Sequence, residues 1–125
     1  MMRKTIEIDG RPVDLMSTAA IPRLYRIKFQ RDVFADVAKL SKAYKAEQER
    51  RAENGGDGSM MPPEALFLFE NLAYIMAKHA NPTTVPDTID EWLDSFSTFS
   101  IYEVLPQIVE LWDLNNAQTA TPAKK

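Results

Sequence analysis

Pro63-Glu64-Ala65-Leu66-Phe67-Leu68-Phe69-Glu70-Asn71-Leu72-Ala73-Tyr74-Ile75-Met76-Ala77-Lys78-His79-Ala80 is the stretch on which the architecture turns. Leu66, Phe67, Phe69, Leu72, Ala73, Ile75, Met76 and Ala80 make a helix that is apolar around most of its circumference. A helix of that kind belongs at the centre of a fold, since no single face of it suits water. Pro82 blocks its continuation just past His79-Ala80-Asn81, because proline lacks the amide proton and its ring clashes with the preceding turn. The remaining segments are therefore sought as elements that cover this helix.

Downstream, Pro86-Asp87-Thr88 opens a short helix from Ile89 to about Phe96, with Trp92 and Leu93 turned inward. Asp87 or Thr88 caps it, and Asp90 and Glu91 in its first turn suit the helix dipole. Ser97-Thr98-Phe99-Ser100 breaks and recaps the chain. The last helix then carries Ile101, Val104, Leu105, Ile108, Leu111 and Trp112 on one stripe at helical spacing. Pro106 interrupts that pattern in one of two ways: it kinks a helix begun at Ser100, or it starts the real helix after Leu105. From Ala117 the Gln-Thr-Ala-Thr-Pro-Ala-Lys-Lys composition reads as a disordered tail, 117–125.

Upstream, Thr5-Ile6-Glu7-Ile8 and Arg11-Pro12-Val13-Asp14-Leu15 alternate with period two around Asp9-Gly10. Asp-Gly between two such runs is a hairpin signal, because a tight primed turn needs positive φ at both central residues. Pro12 puts its strand at an edge, and a two-stranded hairpin needs something to lie on. Ile21-Pro22 starts a short helix to about Phe29, with Ile21, Leu24, Tyr25 and Lys28 on one face. Asp32 is placed to cap a second helix carrying Val33, Phe34, Val37, Leu40 and Tyr44. Beyond Tyr44 this helix keeps good helix formers but loses its apolar face, so its end should project into solvent. Glu53 to Pro62 holds three of the four glycines and reads as a flexible loop. The expectation is one domain over 1–116: an α+β fold, mostly α, with an N-terminal β-hairpin packed on a compact bundle of four or five helices.

Composition bounds the function. Zero cysteines in 125 residues leave no disulfide, thiolate metal site or thiol catalysis. No apolar run approaches the roughly 20 residues of a membrane span, and Arg3-Lys4 followed by Glu7 is no signal peptide. A cytoplasmic location is expected. The net charge of −3 hides a polarity: residues 1–52 hold 12 Lys/Arg against 7 Asp/Glu, whereas 63–115 hold Lys78 against nine acids. Such a molecule can steer partners or pair head-to-tail with its own copies, unless the charges merely solvate its surface.

Chemistry-bearing motifs are sparse. Gly55-Gly56-Asp57-Gly58 has no preceding strand and no Gly-Lys-Ser/Thr ending, so it is not a phosphate loop. His79, the one histidine, sits where a helix C-terminus favours a cation. Asp87, Asp90 and Asp94 share helical faces but lack EF-hand spacing, and no cofactor is implied. Arg23, Arg26, Lys28 and Arg31, interleaved with Tyr25 and Phe29, have the chemistry for phosphates and base stacking. The acidic balance of the whole chain opposes that reading.

The order of Thr18-Ala19-Ala20-Ile21-Pro22-Arg23-Leu24-Tyr25-Arg26-Ile27-Lys28-Phe29-Gln30-Arg31-Asp32, Phe69-Glu70-Asn71-Leu72-Ala73-Tyr74, Lys78-His79-Ala80-Asn81-Pro82 and Glu91-Trp92-Leu93-Asp94-Ser95-Phe96 resembles the tail assembly chaperones of siphophages and prophages of Gram-positive bacteria. The resemblance implies a non-enzymatic protein. Its partners would be the tape-measure protein, held soluble during tail-tube polymerisation, and the tail tube protein. It would act in the host cytoplasm and be absent from the mature virion. Family members often have a longer frameshifted form, and Lys124-Lys125 is compatible with a slippery codon run. The family supplies no site residues. From the helical pattern, the expected client-binding face is Ile101, Leu105, Ile108 and Trp112 with Trp92 at its edge, although the same stripe would also serve to seal the protein's own core. The second functional class is a nucleic-acid-binding phage accessory protein using Arg23 to Arg31.

Overall fold

The computed structural model describes residues 2–53, 63–97 and 101–120, with side chains for 3–50, 52, 63–97 and 103–113. Two strands, β1 (Met2–Ile8) and β2 (Arg11–Ser17), are followed by five helices: α1 (Ile21–Phe29), α2 (Val33–Glu53), α3 (Pro63–Ala80), α4 (Ile89–Asp94) and α5 (Ile101–Ala120). The fold is α+β and mostly α. The hairpin lies on the helices, as the alternating pattern requires.

Asp9 and Gly10 both take positive φ, 58° and 75°, which sets the antiparallel register Ile8↔Arg11, Ile6↔Val13 and Lys4↔Leu15. Ile6, Ile8 and Leu15 thereby share one face, and all three are buried. Pro12 is exposed opposite Glu7. Nothing lies within 4 Å of the place a Gly10 Cβ would occupy, so Gly10→Ala meets no clash and only the left-handed backbone resists it. The expected loss is about 1 kcal/mol, measured as a drop in the urea midpoint with unchanged slope.

The central helix is where its sequence puts it. From Asn71 to Ala77 every residue of α3 is buried, and α3 packs against β2, α1, α2, α4 and α5. Asp32 caps α2, its Oδ1 accepting the Phe34 amide at 3.1 Å. Thr88 rather than Asp87 caps α4, accepting the Glu91 amide at 3.2 Å. Pro106 lies inside α5, so the helix passes through it. The Gln107 side-chain amide donates to the Glu103 carbonyl at 3.0 Å in the turn the proline disturbs.

Two boundaries and one burial differ from expectation. Residues 117–120, given to a tail by their composition, belong to α5, and 121–125 lie outside the described residues. Of the loop at 53–62, Glu53 closes α2 and 54–62 lie outside them too. The end of α2 is mostly exposed, but Glu47 is buried, with the Arg50 guanidinium donating to it at 2.6 Å. The Arg50 pair one turn away satisfies one Glu47 carboxylate oxygen, while Oε2 is buried without a hydrogen-bond partner among the described residues.

Candidate functional site

Four of the five residues expected to form a docking face, Trp92, Leu105, Ile108 and Trp112, are core residues. Trp92 is 4% exposed, Leu105 and Ile108 0%, and Trp112 5%; the Ile101 side chain lies outside the described residues. This corrects the expectation. Helical periodicity shows that a stripe is buried, without saying against what. Here α5 packs on β1, β2 and α3 of its own chain. Trp92 stacks edge-on with Tyr74 and Phe96 at 5.7 and 5.2 Å between ring centres.

The basic segment is also largely engaged. Tyr25 is fully buried and offers no face to a base, and Phe29, partly buried, stacks edge-on against it at 5.1 Å. The Arg31 guanidinium donates twice to Asp36, at 2.7 and 2.9 Å. Tyr25 donates its hydroxyl to the same carboxylate at 2.7 Å. Burial, reinforced by the Asp36 charge, raises the Tyr25 phenol well above its ordinary value. Arg23 and Arg26 remain exposed on the outer side of α1.

Beside them lies a concavity. Leu24, Ile27 and Lys28 from α1 face Tyr74, Ile75, Lys78 and His79 from α3, and Pro82 and Asp87 close one end, around a volume of about 540 Å³. Lys78 organises that end. Its ammonium donates to the carbonyls of Pro82 and Val85 and to Asp87 Oδ1, each at 2.8 Å. Those bonds hold the Asp87 carboxyl below its ordinary pKa. Tyr74 donates its hydroxyl to the Pro86 carbonyl at 2.6 Å, and Lys28 donates to the Asp87 carbonyl at 2.7 Å. The segment after α3 is thereby tied down by three side chains, and the groove has a fixed shape.

His79 Nε2 lies 2.9 Å from the Thr18 hydroxyl, which also accepts the Ala20 amide at 3.1 Å. Burial pushes the imidazole pKa down, favouring the neutral ring. Its partner is therefore a hydroxyl at the start of α1, where a cation at the α3 terminus was expected; Lys78 fills that place. Family models, curated proteins and solved structures were the three sets against which the chain finds no counterpart.

Among the described residues, no three His, Cys, Asp or Glu side chains stand close enough to share a metal ion, and no helix is long and apolar enough to cross a membrane. What the groove offers is an apolar floor with cations beside it. Ile27, on its rim, is 59% exposed. Sequence alone gives no view of this groove, because α1, α3 and the 82–87 turn each contribute only a few of its residues. The available signal was Ile27 itself, an aliphatic residue off the buried face of α1.

Proposed function

We propose that this protein is a tail assembly chaperone that holds helical segments of the tape-measure protein in soluble form, without covalent chemistry. One observation carries the reading. Residues of the separate segments on which the resemblance rests meet in space: Leu24, Ile27 and Lys28 line one wall of the groove, and Tyr74, Lys78, His79 and Pro82 line the other. Trp92, from the fourth segment, backs Tyr74 from behind. Segments far apart in the chain that converge on one concave surface are the arrangement a binding face needs. An apolar floor between two helices suits an amphipathic helix laid along it. Several copies spaced along one extended client would gain avidity from their shared tether.

Co-expression with the tape-measure protein encoded by the same phage or prophage tests this. The tape-measure protein should move from the insoluble to the soluble fraction when this chain is present, and the two should co-purify. A tape-measure protein equally soluble without it, or no co-purification, overturns the proposal. Reading the encoding DNA tests the longer form: a slippery heptamer with an overlapping downstream frame is expected.

A further inference from the structure

We infer that the α1–α3 groove selects its client by charge, taking an amphipathic helix whose apolar stripe is flanked by acidic residues. This deepens the proposed function and rests on its reading of the groove as the client-holding face. Two of the three large hydrophobics left exposed among the described residues, Ile27 at 59% and Phe67 at 57%, belong to its two helices. Phe67 lies outside the lining of the groove, so Ile27 is the exposed apolar residue on its rim, and an apolar stripe on a partner helix packs against it.

The sign of the partner's charge follows from what borders this stripe. Arg23 lies one turn before Ile27 on the same side of α1, with Arg26 and Lys28 exposed beside it. The acid on the opposite rim, Asp87, already has its carboxylate bonded to Lys78 at 2.8 Å. On the α1 side of the groove the exposed charges, Arg23, Arg26 and Lys28, are all cations, although the chain as a whole carries −3. An acidic helix gains from these cations. A basic one meets like charge at a desolvated contact, where the cost is greatest.

Two synthetic peptides of about 20 residues, long enough to hold helix, test the inference on the full chain. Both carry leucine at helical spacing; one has glutamate and the other lysine flanking the stripe. Fluorescence anisotropy should show the glutamate peptide binding at least about tenfold more tightly at low salt, with the difference shrinking as salt rises. The double substitution Arg23→Glu with Arg26→Glu, at exposed sites, should reverse that preference, and Ile27→Ser should weaken both peptides. Equal binding of the two peptides, an unchanged preference in the double variant, or tighter binding of an oligonucleotide than of the glutamate peptide overturns the inference. So does self-association that Ile27→Ser abolishes while neither peptide binds, which would assign the groove to a second copy. Peptide binding requires no phage protein. If it holds while tape-measure co-expression fails, the chaperone reading falls and the groove stands; the opposite pair of results removes the groove alone.

Discussion

Replacing Asp36 with alanine should lower stability by about 3 kcal/mol. The Asp36 side chain is 5% exposed and receives three hydrogen bonds, two from Arg31 and one from Tyr25. Removing it leaves the Tyr25 hydroxyl in the interior with no acceptor, and an orphaned buried donor costs its full desolvation. Arg31 is 37% exposed, so it can regain water, which keeps the loss at the lower end for a broken buried pair. Tyr25→Phe removes only one donor and keeps the Arg31 pair, so about 1 kcal/mol is expected. Urea midpoints at unchanged slope measure both. A loss of under about 0.5 kcal/mol for Asp36→Ala would mean the network contributes nothing.

The same pair predicts a pH dependence with a definite sign. Burial alone would raise the Asp36 pKa, but the hydrogen bonds from Arg31 and Tyr25 together outweigh it and hold the value below 3.8. The folded state therefore binds this proton less readily than the unfolded chain does. The pair's contribution is complete above the unfolded carboxylate range near 3.8 and is lost as pH falls through the lower folded value. Wild type and Asp36→Ala should thus differ most at neutral pH and converge in strong acid.

Much of the fold is written in short-range chemistry. Asp9-Gly10 specifies a turn that only positive φ satisfies, and the register of the strands follows from it. Asp32 and Thr88 sit where a side-chain oxygen meets an orphan amide at a helix start. The apolar circumference of Pro63 to Ala80 admits no placement except the middle. Where local chemistry was balanced, the sequence left the outcome open. Pro106 was consistent with both a helix start and a helix interior, and the packing of Val104, Leu105 and Ile108 decides for the interior.

The candidate site was much less legible. Arg23 to Arg31 reads in sequence as one basic and aromatic segment. Folding divides it: Tyr25 goes to the core, Arg31 to Asp36 and Lys28 to the Asp87 carbonyl, while Arg23, Arg26 and Ile27 face outward. The groove itself needs α3 and the turn after it, about 50 residues away in the chain. Opposing charges at that range pair only once the fold exists, so composition could report the polarity of the chain but not the basic character of this one surface.

Leu105→Ala and Ile108→Ala should each cost about 3 kcal/mol, whereas Ile27→Ala should change stability by less than about 0.5. Leu105 and Ile108 are 0% exposed, against 59% for Ile27, so truncation leaves a cavity at the first two and only shortens a solvated side chain at the third. The contrast separates two accounts of the apolar stripe on α5. A docking face would show the reverse pattern, with small stability losses and a large loss of client binding. Sealing of the hairpin onto α3 requires the large losses, because α5 closes the side of β1 that α3 does not reach. Thermal or urea unfolding of the three variants gives the ordering directly. If either α5 substitution costs less than Ile27→Ala, α5 is not core and the groove between α1 and α3 loses its standing as the binding face.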